Sequence, residues 1–188
     1  MSRRLALLLV AAACGCNNGE APTINTQAME AYLGMDSSIE KALDLAFVGM
    51  NSAATANIAP ETIGGDAKGK LVVMGQVDQG TSSSKTIRVD AVYNGYSDDG
   101  DTFYATDAAA PPLLALELTQ LPYGALSGTF LGVFTMSGLF VGPLTVELKL
   151  DGQLQPAGTT GVARVMYSTR IHGTAVSDYG SYAVDFTR

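Results

Sequence analysis

The chain has 188 residues, which suits one domain with a real hydrophobic core and leaves little room for a second. Its 11 Lys and Arg face 18 Asp and Glu, a formal net charge of −7. Such a surface repels nucleic acid, whose binding depends on cations that neutralise phosphates. The only cysteines, Cys14 and Cys16, lie in one N-terminal segment, so the folded part has no internal disulfide and no thiolate metal site.

That segment reads MSRRLALLLVAAACGC. Arg3 and Arg4 form a basic start, and Leu5 to Ala13 is an unbroken apolar run ending in small residues. This is the layout of a secretory signal peptide. The run is well short of the roughly 20 apolar residues that a membrane-spanning helix needs. Ala11, Ala12 and Ala13 run straight into Cys14, and here the segment resembles the lipobox of bacterial lipoproteins, with Ala11 where Leu is commonest. The resemblance implies cleavage before Cys14 and acylation of the new N-terminus, with Cys16 as the alternative site. It also implies an outer-membrane location, since Gly15 is not the Asp associated with inner-membrane retention. Ordinary secretion or a periplasmic location is the alternative. Loss of residues 1–13 removes two arginines and no acids, so the mature charge is −9 and no basic patch is expected to hold anionic lipid. Acyl chains would have to do the holding, and two suffice.

Residues 17–26, NNGEAPTINT, are small or polar without period and read as a tether. Gln27 to Leu33 is long enough for two helical turns before Gly34, but too short to stand alone. The expected organisation is therefore a signal peptide over 1–13, a lipid-anchored tether over 14–35 and a single domain over 36–188.

Asp36 to Asn57 is the one convincing helix. Ser37 and Glu40 have capping-box spacing, and Ile39, Leu43, Ala46, Phe47, Met50 and Ala54 recur as one apolar stripe. Pro60 is expected to end the element, and Glu61 to Gly69 to form a glycine-rich connection. Beyond Lys70 the period drops to two. Leu71, Val73 and Val77 share a face, as do Ile87, Val89, Ala91 and Tyr93, with the Ser-rich turn Thr81 to Lys85 making a hairpin of the two runs. Leu144, Val146, Leu148 and Leu150 oppose Thr145, Glu147, Lys149 and Asp151, and Asp151-Gly152 reads as the turn that follows. After Gly158 to Gly161, Val165, Tyr167 and Ile171 are expected to face in, with Arg164, Ser168, Arg170 and His172 facing out. Tyr182, Val184 and Phe186 make the last strand.

Two segments break the alternation. Leu113 to Leu121 and Thr129 to Val141 are apolar on both faces, so both faces are covered, for which the helix stripe is the natural cover, or one lines a cavity. Ser97-Asp98-Asp99-Gly100 and Ser177-Asp178-Tyr179-Gly180 share a tight-turn pattern without any longer repeat.

No reaction chemistry emerges from these residues. Gly64 to Lys70 has P-loop glycine and lysine spacing, but Leu71 replaces the magnesium-binding hydroxyl and the segment enters a strand. An EF-hand at Asp98, Asp99 and Asp101 is excluded, because Gly95 and Thr106 fall where its terminal acids belong. An irregular calcium site there is left open against an ordinary solvated turn. His172 is the only histidine and has no nucleophile motif to serve, and nothing in the spacing of Glu117 and Glu147 argues for an acid/base pair.

The expected fold is mainly β: an antiparallel meander, as a sandwich or a curled barrel-like sheet, with one packed N-terminal helix. No catalytic residue, metal ligand or cofactor is assigned, and no ligand-binding residue is named. The expected function is a non-enzymatic envelope lipoprotein, a protein-binding or structural module at the outer membrane. It would be held by its N-terminal acyl chains and would have another envelope protein as partner. The alternative is a carrier of lipid or another apolar ligand inside the curled sheet.

Overall fold

A computed structural model describes residues 24–188. The signal peptide, the first part of the tether and both cysteines lie outside the described residues.

Among the described residues two helices precede the sheet, α1 (Ile24–Leu33) and α2 (Asp36–Ser52), joined by Gly34 and Met35. α2 is the packed helix expected from the stripe: Ile39, Leu43 and Ala46 are fully buried and Phe47 nearly so. It ends five residues before Asn57. Ser52 Oγ donates to the carbonyls of Val48 and Gly49 at 2.9 and 3.2 Å, and the chain then turns out at Ala53. The capping box does not form, because both of its members are drawn to distant partners. Ser37 Oγ donates to Asp98, Glu40 pairs with Arg164, and Met35 occupies the cap position without a side-chain bond. α1 belongs to the folded unit rather than to a tether running through residue 35. Ala31, Tyr32 and Met35 are fully buried in the same core, and α1 packs on the last two strands.

Ten antiparallel strands follow: β1 (Asn57–Gly64), β2 (Lys68–Val77), β3 (Lys85–Ser97), β4 (Thr102–Ala105), β5 (Leu113–Thr119), β6 (Ala125–Gly138), β7 (Gly142–Ala157), β8 (Gly161–Arg164), β9 (Arg170–Ser177) and β10 (Gly180–Thr187). The sheet order is β1-β2-β3-β4-β6-β7-β9-β10. β5 lies below β4 in the same lane between β3 and β6, so the meander has eight lanes. The fold class is the expected one, an antiparallel meander curled into a partial ring. α2 packs on β1, β2, β3 and β8, and α1 on β9 and β10, so the helices span the open side between the edge strands. Tyr32 against Tyr182, with ring centroids 5.6 Å apart, and the Asp36–Arg188 ion pair fasten that junction.

Residues 57–64, expected as the helix end and a loose connection, are strand. Pro60 sits at the register irregularity between Ile58 and Glu61, where an edge strand tolerates a missing N–H. Gly49 lets β1 cross α2 closely, since a Cβ there would lie 2.3 Å from Ile58 Cγ2. Gly65 to Ala67 is then a tight turn into β2. The β2–β3 hairpin forms as expected, with Val73 opposite Ala91 and Val77 opposite Ile87.

β7 does not turn at Asp151-Gly152. It leaves β9 at Asp151 and picks up β8 at Leu154, and Gly152 allows the close passage of Thr169. Tyr167 therefore does not face in. It occupies a turn with φ +59° and is 78% exposed, while Arg164, expected outside, is buried.

The turns sort into two ends. At one lie the β1–β2 turn, Asp98 to Asp101, the β6–β7 tip Leu139 to Val141 and the β9–β10 turn Asp178-Tyr179; at the other lie the β2–β3 turn, the β5–β6 loop and residues 165–169.

Candidate functional site

The doubled apolar segments locate the surface of interest. On β6 the inner residues Phe130, Phe134 and Met136 are buried, as the two-residue period requires. Their outer neighbours are not covered by the helix, which lies on the concave side. Leu131 is 43% exposed and Val133 53%. Val133 lies opposite Thr145 on β7, which lies opposite Val176 on β9, itself an exposed valine. Towards the turn the next pair is Thr135 and Pro143, and beyond it Leu139 and Val141 stand out from the hairpin tip. An aliphatic stripe thus runs up the outside of β6, β7 and β9 to the tip. It ends at the row Glu147–Thr174 and the row Lys149–His172 next to it, which line a shallow depression of about 360 Å³.

The tip is rigidly placed. Leu139 N–H donates to the Asp101 carbonyl at 2.9 Å, and Val141 N–H to Tyr179 Oη at 3.1 Å. Phe140 is pinned edge-on against Tyr179 with centroids 5.0 Å apart. Gly138 and Gly142 take φ of +101° and +109°, the left-handed region that lets so short a connection reverse.

At the other end the loops around residues 120–124 and 165–169 flank the same stretch of β7. Gly124 O accepts from Leu154 N–H at 2.9 Å, and Ser168 Oγ from Gln153 N–H at 3.2 Å. Here Tyr123, Met166 and Tyr167 are largely exposed, and Gln120 and Tyr167 are the non-glycine residues with positive φ among those described.

The charged groups singled out in the sequence serve the fold. Asp98 gathers Lys41 Nζ at 2.8 Å, the Asp66 N–H at 2.9 Å, Tyr96 Oη at 2.7 Å and Ser37 Oγ. Burial by itself would raise its carboxyl, but these donors outweigh burial and hold it below the usual carboxylate range. Burial, chiefly, pushes the Tyr96 phenol up to about 12. Asp99 Oδ1 accepts from Ser97 Oγ and from the N–H groups of Asp101 and Thr102. Asp98 thus spends both oxygens, and Asp99 its Oδ1, on protein donors.

Arg164 does not share a face with His172. It crosses to α2 and pairs with Glu40 and with Asp44, the latter at 2.9 Å. Beside it Asn51 bonds both backbone groups of Val162, at 2.8 and 3.0 Å, as a neighbouring strand would. Together they fasten the β7–β8 hairpin to the helix below a cleft of about 440 Å³ lined by Phe47, Val48 and Met166. His172 lies between Lys149 and Asp185 across the strands. Glu117 and Glu147 are two lanes and four residues apart, roughly 16 Å, and do not meet. Cys14 and Cys16 lie outside the described residues. The two-sided pattern of β6 flagged the stripe in the sequence; its exposure could not be read there.

Among the described residues no helix is long and apolar enough to cross a membrane. No family model matches this chain, and neither curated proteins nor solved structures give a match to it.

Proposed function

We propose that the chain is an envelope lipoprotein, anchored through Cys14 at the outer membrane, whose domain is a non-enzymatic module that binds another envelope protein. The observation that carries this reading is the distribution of side chains. Asp98, Glu40, Asp44 and Arg164 are spent on internal fastening, whereas Tyr123, Met166 and Tyr167 stand exposed on braced loops. Tyr and Met are enriched at the cores of protein interfaces, and non-glycine residues held at positive φ collect at functional loops. The carrier alternative has less support: it needs interior space that Ile39, Leu43 and Phe130 fill, each with essentially no exposure.

Radiolabelled palmitate tests the anchor. Cys14→Ser should lose the label and Cys16→Ser keep it; the reverse result moves the anchor to Cys16, and label on neither wild type nor variants removes it. For the partner, a photo-crosslinking residue in place of Tyr167 should give one discrete adduct in intact cells, whereas the same probe at Thr62 on β1 should give none. Equal smears at both positions would count against a specific partner.

A further inference from the structure

We propose that the β6–β7 tip and the aliphatic stripe behind it rest on the bilayer surface, so that the domain lies against the membrane with its Tyr123 and Tyr167 loops turned away. This rests on the lipid-anchor reading above.

Three observations lead there. The tip is apolar by construction: backbone bonds to Asp101 and Tyr179 and the buried Phe140 hold Leu139 and Val141 outward, 67% and 60% exposed. The tip also continues into Val133 and Val176, an apolar strip bounded on its far side by Glu147, Lys149 and His172. Finally, Cys14 precedes Ile24 by ten residues, a span of at most about 35 Å. α1 then lies on β9 and β10, whose connecting turn braces the tip. A chain acylated at Cys14 would keep this side of the domain within reach of the bilayer at high effective concentration.

The chemistry of the surface selects lipid over protein. Its most exposed apolar members are Leu and Val, with Thr135 and Pro143 between them, and apart from the half-buried Tyr179 it carries none of the Trp, Tyr or Arg anchors of most protein interfaces; aliphatic side chains suit a disordered hydrocarbon boundary. Two or three such side chains are too few to hold a free protein on a membrane, but they suffice to orient one that is already tethered. The exposed carboxylates of Asp101 and Asp178 border the tip, so the lipid it accepts is zwitterionic rather than anionic.

The chain has no tryptophan, which makes Leu139→Trp a single-site reporter. The acylated full-length mature chain would be reconstituted in phosphatidylcholine vesicles with and without bromine on the upper acyl carbons. The expected result is fluorescence quenching of about twofold or more for Leu139→Trp and none for Tyr123→Trp, weakening when anionic lipid is added. Val141→Trp serves as a second reporter should Leu139→Trp melt below wild type. If the protein floats with the vesicles yet neither tip reporter is quenched, the docking proposal is overturned and the anchor stands. Wild-type protein that fails to float overturns both. A blue shift that grows with protein concentration and ignores bromine would identify a second copy as the occupant, which also overturns lipid docking.

Discussion

The two faces of β6 carry similar side chains and meet opposite fates. Phe130, Phe134 and Met136 lie in the core with essentially no exposure, Phe134 edge-on to Tyr93 of β3, while Leu131 and Val133, one residue along, and Leu139 at the tip just past the strand face outward and stay between 43 and 67% exposed. The inner set shows what the fold needs, and the outer set what the surface offers. Hydrophobicity along a strand predicts burial only when a second layer exists to supply it, and the helical layer among the described residues lies on one side.

Mutations that treat the faces alike test this contrast most directly. Phe134→Ala should cost about 3 to 5 kcal/mol in urea unfolding, since it empties a fully packed site, whereas Val133→Ser should stay within about 0.5 kcal/mol. Comparable losses would mean that the outer face is covered after all. Asp98→Asn comes next, at about 2 kcal/mol near neutral pH, because it strips Lys41 of a partner at the helix start. The Asp98 carboxyl is depressed in the folded state, so its contribution is present above the unfolded value of roughly 4 and is lost as pH falls through the folded one. Wild type and variant should therefore converge on acidification below that value, and a gap that persisted or widened in acid would contradict the assigned network. A smaller loss than these core and network changes belongs to the strand-like clamp at the other end. Asn51→Ala should cost about 1 to 2 kcal/mol and speed hydrogen exchange at the Val162 amide while leaving β6 amides protected.

Much of this architecture is visible in local pattern. The 3.6-residue stripe of α2 and the alternation in β2, β3 and β7 are legible because each is produced by one buried face. The misplaced elements share a cause, namely partners distant in sequence. Ser37 and Glu40 have cap spacing but answer to Asp98 and Arg164, so local geometry lost to tertiary bonds. Asp151-Gly152 has the chemistry of a turn, yet strand pairing on both sides carries β7 through it.

The same division applies to the surface. From the sequence alone come the acidic balance, the confinement of cysteine to the N-terminal segment and the excess of apolar residues in β6, since composition and period are properties of the chain. Which side of that excess meets solvent was decided by tertiary structure, because both helices follow the concave face and leave β6, β7 and β9 uncovered outside. Arg164 shows the same thing at the scale of one residue: its charge reads as surface, but Glu40 and Asp44 across 120 or more residues of chain provide the compensation that lets a guanidinium be buried.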